Sequence, residues 1–215
     1  MSARTPLAPP PASSARTDTE VWVKRFGRTE RFAHWWTMSM VATALVSGLA
    51  LGDDAEPGPL LTIHWGAIAL IGAGLTVALV FGNTRALLRA CWSLFSFDRR
   101  DAVWIRDHLR HPFGGAAHGE YGMFNPGQKA LAWALSGTMV VVVVTGIQAL
   151  SAGGDDPGGP HVAAVVVAMV LVGVHVVMAA FNPATNHALN GMLTGRVRRS
   201  WATVHHGGWL KDQDR

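Results

Sequence analysis

The segment PHVAAVVVAMVLVGVHVVMAAF, Pro160–Phe181, decides the reading of this chain. It has the roughly 20 apolar residues that a helix needs to cross about 30 Å of hydrocarbon. It carries no acid and no lysine or arginine, yet it holds His161 and His175, fourteen residues apart. At 1.5 Å per residue the two imidazoles differ in depth by about 21 Å, and nearly four turns leave them within about 40° of one face. An ionisable group inside a span costs enough to need a partner or a task.

Three further runs lack Asp, Glu, Lys and Arg: residues 32–52, 60–82 and 130–150, with 161–181 as the fourth. Hydrophobic residues make up 49% of the 215, charged ones 15%, and mean hydropathy is +0.23. Lipid offers no partners to unpaired backbone groups, so runs this long predict helices. The expected fold is an all-α integral membrane protein, a four-transmembrane-helix bundle. Residues 1–20, rich in Pro, Ser and Ala, predict a disordered tail. Residues 21–215 then form one membrane domain with a loop at 83–129 and a tail at 182–215.

Basic residues divide without exception. Six precede the first run, seven lie in 83–129 and five follow the last run, which accounts for all eighteen. The two other connections, DDAEPGP and GGDDPGGP, carry acids only. Lysine and arginine bias sets topology, so both termini and the long loop are expected to be cytoplasmic in a bacterial inner membrane. The same bias accounts for a pI near 10.0 without nucleic acid as a partner. The lone Cys91 excludes an intrachain disulfide, a cysteine-rich iron–sulfur site and covalent C-x-x-C-H haem attachment. It reads as a free thiol near the inner end of the second helix.

Four of the ten histidines fall in the spans: His34, His64, His161 and His175. The topology sorts them by depth into an inner pair, His34 with His175, and an outer pair, His64 with His161. Each pair joins two helices, as a metal or a haem iron held from both faces requires. Zinc generally takes three or four ligands, and neither pair has a further candidate nearby. Two axial imidazoles suit a low-spin haem engaged in electron transfer. A bundle without haem, whose histidines bind a metal or relay protons in a transporter or assembly protein, is the reading from another class. Gly48 and Gly146 sit at matching outer depths, where they leave room for a porphyrin or for close helix packing. Trp35, Trp36, Trp65 and Trp133 read as interfacial anchors.

Ahead of the third run stands YGMFNPGQKALAW. Asn125, Gly127 and Gln128 offer amide groups that could bond a quinone carbonyl. The same residues also read as a helix cap, with Asn125 as N-cap and Pro126 at the first helical position. His108, His111 and His118 lie in the polar loop without a special role. His205 and His206 read as a solvated surface pair, and the run RVRR as topology bias and lipid headgroup contact.

The elements ERFAHWW with VSGL, FNPGQKALAW with VTG, the paired histidines of the fourth run and the tail GMLTGRVRRSWATVHHGGW together resemble the membrane cytochrome b, or gamma, subunits of respiratory formate dehydrogenases. Related di-haem cytochromes b, including those of hydrogenases and bacterial cytochrome b561, share the weaker elements. The resemblance covers about residues 23–209. It implies two haem b groups, ligated by His34 and His175 on the cytoplasmic side and by His64 and His161 on the periplasmic side. It implies a quinone site, for menaquinone or ubiquinone, at Asn125, Gly127 and Gln128. It also implies partners: an iron–sulfur (beta) subunit and, through it, a molybdenum or tungsten catalytic (alpha) subunit that oxidises formate. Such a chain is the electron-transfer and quinone-reducing subunit and not the formate-oxidising one. A hydrogenase or other molybdoenzyme donor, or a stand-alone cytochrome b561-like quinone reductase, are the neighbouring alternatives. The sequence departs from the family at Pro126, where a small residue is expected, and at Phe124, where tyrosine is usual.

Overall fold

The computed structural model describes residues 20–51, 58–110, 121–151, 158–183 and 185–214. The tail before residue 20, most of both acidic turns, and His111 and His118 lie outside these residues.

Four long helices dominate: α1 (Arg28–Leu51), α2 (Pro59–Phe81), α5 (Pro126–Ser151) and α6 (Gly158–Ala180). Among the described residues α2, α5 and α6 are long and apolar enough to cross a membrane. Their large apolar side chains point outward, as at Val140 (63% exposed) and Val170 (62%); that arrangement suits lipid and would be unstable in water. The 24-residue α1 is less apolar, because its run is interrupted by His34, two tryptophans, two threonines and two serines.

The long helices pack as two hairpins, α1 along α2 and α5 along α6. Across the hairpins, among the described residues, no pair of long helices keeps its backbones in close approach along its length. The hairpin backbones therefore stand apart across a slot that side chains enter from both sides, His34 and His64 from one and His175 and His161 from the other. Within the first hairpin, the Trp36 indole N–H donates to the Leu70 carbonyl at 2.7 Å, and a Cβ on Gly74 would fall 2.1 Å from the indole. Trp36 thus reaches the middle of α2, which corrects the interfacial-anchor reading. Trp35 and Trp133 do bond at helix ends, to the carbonyls of Met192 (3.0 Å) and Phe95 (3.1 Å).

The long loop is not featureless. It contains two twelve-residue helices, α3 (Thr84–Phe95) and α4 (Arg99–Arg110). Asn83 caps α3 by accepting from the Ala86 N–H at 3.0 Å, and Asp98 accepts from the N–H groups of Arg100 and Asp101 ahead of α4. Cys91 is exposed on α3, beyond the end of α2. A buried ion pair, Lys129 to Asp101 at 2.7 Å, ties α4 to α5.

The tail folds back as α7 (His187–Thr194), a strand β2 (Arg196–Arg198), α8 (Arg199–His205) and α9 (Gly207–Gln213). An N-terminal strand β1 (Trp22–Lys24) pairs antiparallel with β2, with Val23 opposite Val197. Gly195 makes the ribbon possible. Its φ of 85° closes α7 in the left-handed region, and a Cβ there would meet the Phe26 carbonyl at 2.7 Å. Its own carbonyl accepts from the N–H groups of Arg25 and Phe26. Arg31 donates to the last α7 carbonyls, Met192 and Leu193. Val197, Trp201, Ala202, Trp209 and Leu210 form the core of the resulting cap.

Candidate haem and quinone sites

The helices bring the span histidines together in two couples. The rings of His34 on α1 and His175 on α6 have centroids 6.1 Å apart, inclined at 58°. Those of His64 on α2 and His161 on α6 are 6.4 Å apart at 86°. Fourteen residues along α6 separate the couples in depth, and both bridge the slot between the hairpins.

The outer couple is held by a motif that occurs twice. His64 donates through Nδ1 to the Ala44 carbonyl at 2.9 Å, with the Ser47 hydroxyl 3.4 Å away. His161 donates through Nδ1 to the Val142 carbonyl at 3.0 Å, with the Thr145 hydroxyl at 3.2 Å. A carbonyl only accepts, so Nδ1 carries the proton and the Nε2 lone pair is left for a metal. Gly48 and Gly146 complete the motif. A Cβ on either would stand 3.1 Å from the Cε1 of the histidine above it. These glycines make room for an imidazole of the neighbouring helix, where the sequence left open a porphyrin or close helix packing.

The donor set fits a haem. Metal–imidazole bonds are about 2 Å, so two rings on opposite sides of one iron have centroids about 6 Å apart. Among the described residues no third His, Cys, Asp or Glu joins either couple. Two nitrogens suit an iron whose other four ligands come from a porphyrin.

At the start of α5 the cap reading is realised. The Gln128 N–H donates to Asn125 Oδ1 at 2.8 Å, and the Asn125 N–H donates to Gln128 Oε1 at 3.0 Å. This reciprocal box uses both carboxamide oxygens. The amide nitrogens are the groups left to meet a carbonyl. Gly127 lets the Trp104 ring of α4 approach, since a Cβ would be 3.3 Å from it.

Sequence reading missed what lies behind this turn. His206 is 1% exposed, not solvated. Its Nδ1 donates to the Gly122 carbonyl at 2.9 Å, and its Nε2 accepts from Arg25 Nη2 at 3.3 Å. Burial, helped by the Arg25 charge, pushes its pKa down to about 3. Arg25 is itself buried among Phe26, Trp201 and Trp209, with its pKa lowered by desolvation to about 9. Its Nη2 also donates to the Met123 carbonyl at 2.6 Å. His205 packs on Trp201, ring centroids 5.3 Å apart. The match of Gly-Met-Leu to Trp209 in the tail was the one signal pointing here.

Apolar helices bridged by paired histidines define a helical membrane protein of the cytochrome b kind. The chain belongs to the prokaryotic cytochrome b561 family, whose match runs over residues 25–195. It is also similar, over nearly its whole length, to the cytochrome b556(fdo) subunit of formate dehydrogenase from Escherichia coli K12: 25% identity over 206 residues, covering 92% of this chain and 94% of that protein. The corresponding subunits of the O6:H1 and O157:H7 strains match equally.

Proposed function

We propose that this chain is the di-haem membrane subunit of a formate dehydrogenase complex, carrying electrons from a periplasmic iron–sulfur subunit to quinone reduced near the cytoplasmic side. The observation that carries the reading is the pair of histidine couples, 6.1 and 6.4 Å between ring centroids, at two depths of the same slot. In this reading α1 is the fourth span, and both termini and the α3–α4 region face the cytoplasm. The distribution of all eighteen basic residues supports that orientation. Similarity to a formate dehydrogenase cytochrome subunit supports the donor.

Each residue has a definite task. His34 and His175 would hold one haem iron, and His64 and His161 the other, the latter two through Nε2. When bound, haem b would supply reversible one-electron transfer. The carbonyls of Ala44 and Val142 fix the tautomer and direction of the outer imidazoles. The Asn125 and Gln128 amide nitrogens donate to a quinone carbonyl, while their oxygens keep the helix start in register.

Purification in mild detergent after haem-replete expression, with haem counted per polypeptide, tests the reading. Two haem b per chain and copurification of a molybdenum- or tungsten-containing subunit are expected. A colourless chain, or one haem, overturns it.

A further inference from the structure

Three consecutive carbonyls lead into the Asn125 turn, and each is taken by a different donor of the cytoplasmic cap. The Tyr121 carbonyl accepts from the Trp209 N–H at 3.2 Å, Gly122 from His206 Nδ1 at 2.9 Å, and Met123 from Arg25 Nη2 at 2.6 Å. The next residue, Phe124, packs its ring 6.0 Å from that of Phe26. The donors come from both sides of the β1–β2 ribbon, and Arg25 and His206 are joined to each other at 3.3 Å.

Arg25 is the costly member. Its guanidinium is buried, lies within 6 Å of three aromatic rings, and has no carboxylate in its salt-bridge reach among the described residues. Its Nε and Nη1 find no partner there either. A buried cation held without a counter-charge is poor for stability. An apolar side chain would close the same cap at lower cost, but it could not grip a carbonyl and a neutral imidazole at once.

We infer that Arg25 and His206 are positioning residues of the quinone site, fixing the backbone of residues 121–124 so that the Asn125 and Gln128 amides point at the quinone head. The inference rests on the quinone reading given above. It assigns a substrate-affinity role to two segments, ahead of α1 and after α8, that touch neither histidine couple. Neutral His206 is suited to this: it accepts from one neighbour and donates to the other without adding a second charge beside Arg25.

The test compares His206→Ala, Arg25→Met and Gln128→Ala in the haem-loaded complex. Reduction by menadiol and by decylubiquinol gives KM and limiting rate, and hydrogen exchange reports on residues 121–128. Expected for His206→Ala and Arg25→Met is a rise of about tenfold in quinol KM, the size of one lost hydrogen bond. Limiting rate and haem content stay unchanged, and exchange over 121–128 quickens. His206→Asn keeps a donor where Nδ1 stood and recovers most of the affinity. If Gln128→Ala raises KM but the two cap variants do not, the inference is wrong while the quinone reading stands. If Gln128→Ala leaves KM unchanged for both quinols, the quinone reading fails and the inference falls with it, even where exchange quickens. Should either cap variant lose haem, Arg25→Leu and His206→Leu, which fill the cap without donating to the Met123 and Gly122 carbonyls, carry the same comparison.

Discussion

The imidazole of His161 lies over Gly146, where a Cβ would stand 3.1 Å from its Cε1, and reaches one turn back to the Val142 carbonyl. His64 stands in the same relation to Gly48 and Ala44. Each outer histidine is thus clamped by a carbonyl, a hydroxyl and a bare Cα on the neighbouring helix of its own hairpin. The two hairpins present equivalently held imidazoles to one another, 6.4 Å apart between ring centroids.

That clamp predicts selective loss of one haem. Gly48→Val and Gly146→Val push the imidazole off its carbonyl, and each is expected to halve haem content per polypeptide while the inner site stays filled. Alanine, which needs a shift of only a few tenths of an ångström, should give a partial loss. Haem counting by the pyridine haemochrome method decides it, and undiminished content in both valine variants would return these glycines to ordinary helix packing.

The couples are separable in depth, so their losses should separate too. His175→Ala is expected to remove the inner haem and leave most of the outer one. His64→Ala should stop reduction by an external donor yet leave partial reduction by added quinol. Equal loss of both haems in a folded His175→Ala protein counts against the pairing.

Gln128 caps α5 through its oxygen, and in the proposed quinone site its nitrogen is the donor to substrate. Gln128→Glu keeps the acceptor for the Asn125 N–H and removes the donor. It should preserve thermal stability and weaken quinol binding about tenfold. Gln128→Ala should do both harms, costing about 1 kcal/mol of helix capping as well. Denaturation in detergent beside quinol titration distinguishes them.

At the hairpin core, Gly74→Ala places a methyl 2.1 Å from the Trp36 indole. Both flanking helices are held there, so the expected cost is about 1–3 kcal/mol, read as a lower Tm in detergent. Trp36→Phe in the same background should recover part of it by opening space.

The cap has a predicted pH limit. Burial and Arg25 hold the His206 pKa at about 3 against an ordinary 6.5. Between those values the unfolded chain binds the extra proton and the folded cap does not, so stability rises with pH through this window. Arg25 and His205 both oppose the incoming charge, and the Gly122 carbonyl alone favours it. Hydrogen-exchange protection over residues 196–210, taken relative to the intrinsic rate at each pH, should fall as pH drops from 6.5 toward about 3, and His206→Asn should flatten the dependence.

Much of this was legible in the residues. Runs free of charge gave helices whose observed ends lie within about four residues of the expected ones, because lipid-length apolarity is a local property. The approach of His34 to His175 and of His64 to His161 followed from depth and helical phase alone. The cap was not legible. Val23 and Val197 lie far apart in sequence, each in a three-residue strand too short for an alternating pattern. Arg25 and His206 look like ordinary surface charges until the fold buries them. The helices of the long loop escaped notice for a different reason: they are amphipathic and short, and their capping residues Asn83 and Asp98 were the available sign.

The β1–β2 ribbon also sets an order of assembly. Residues 22–24 leave the ribosome early but find their partner strand only about 170 residues later, after all the long helices have been made. Arg25 waits longer still, for His206. The end of the bundle that carries the β1–β2 ribbon therefore closes last, and the turn at Asn125 acquires its backing only in a polypeptide that has been completed through Trp209. A truncated or stalled chain would thread the membrane, yet could not finish the backing of the Asn125 turn.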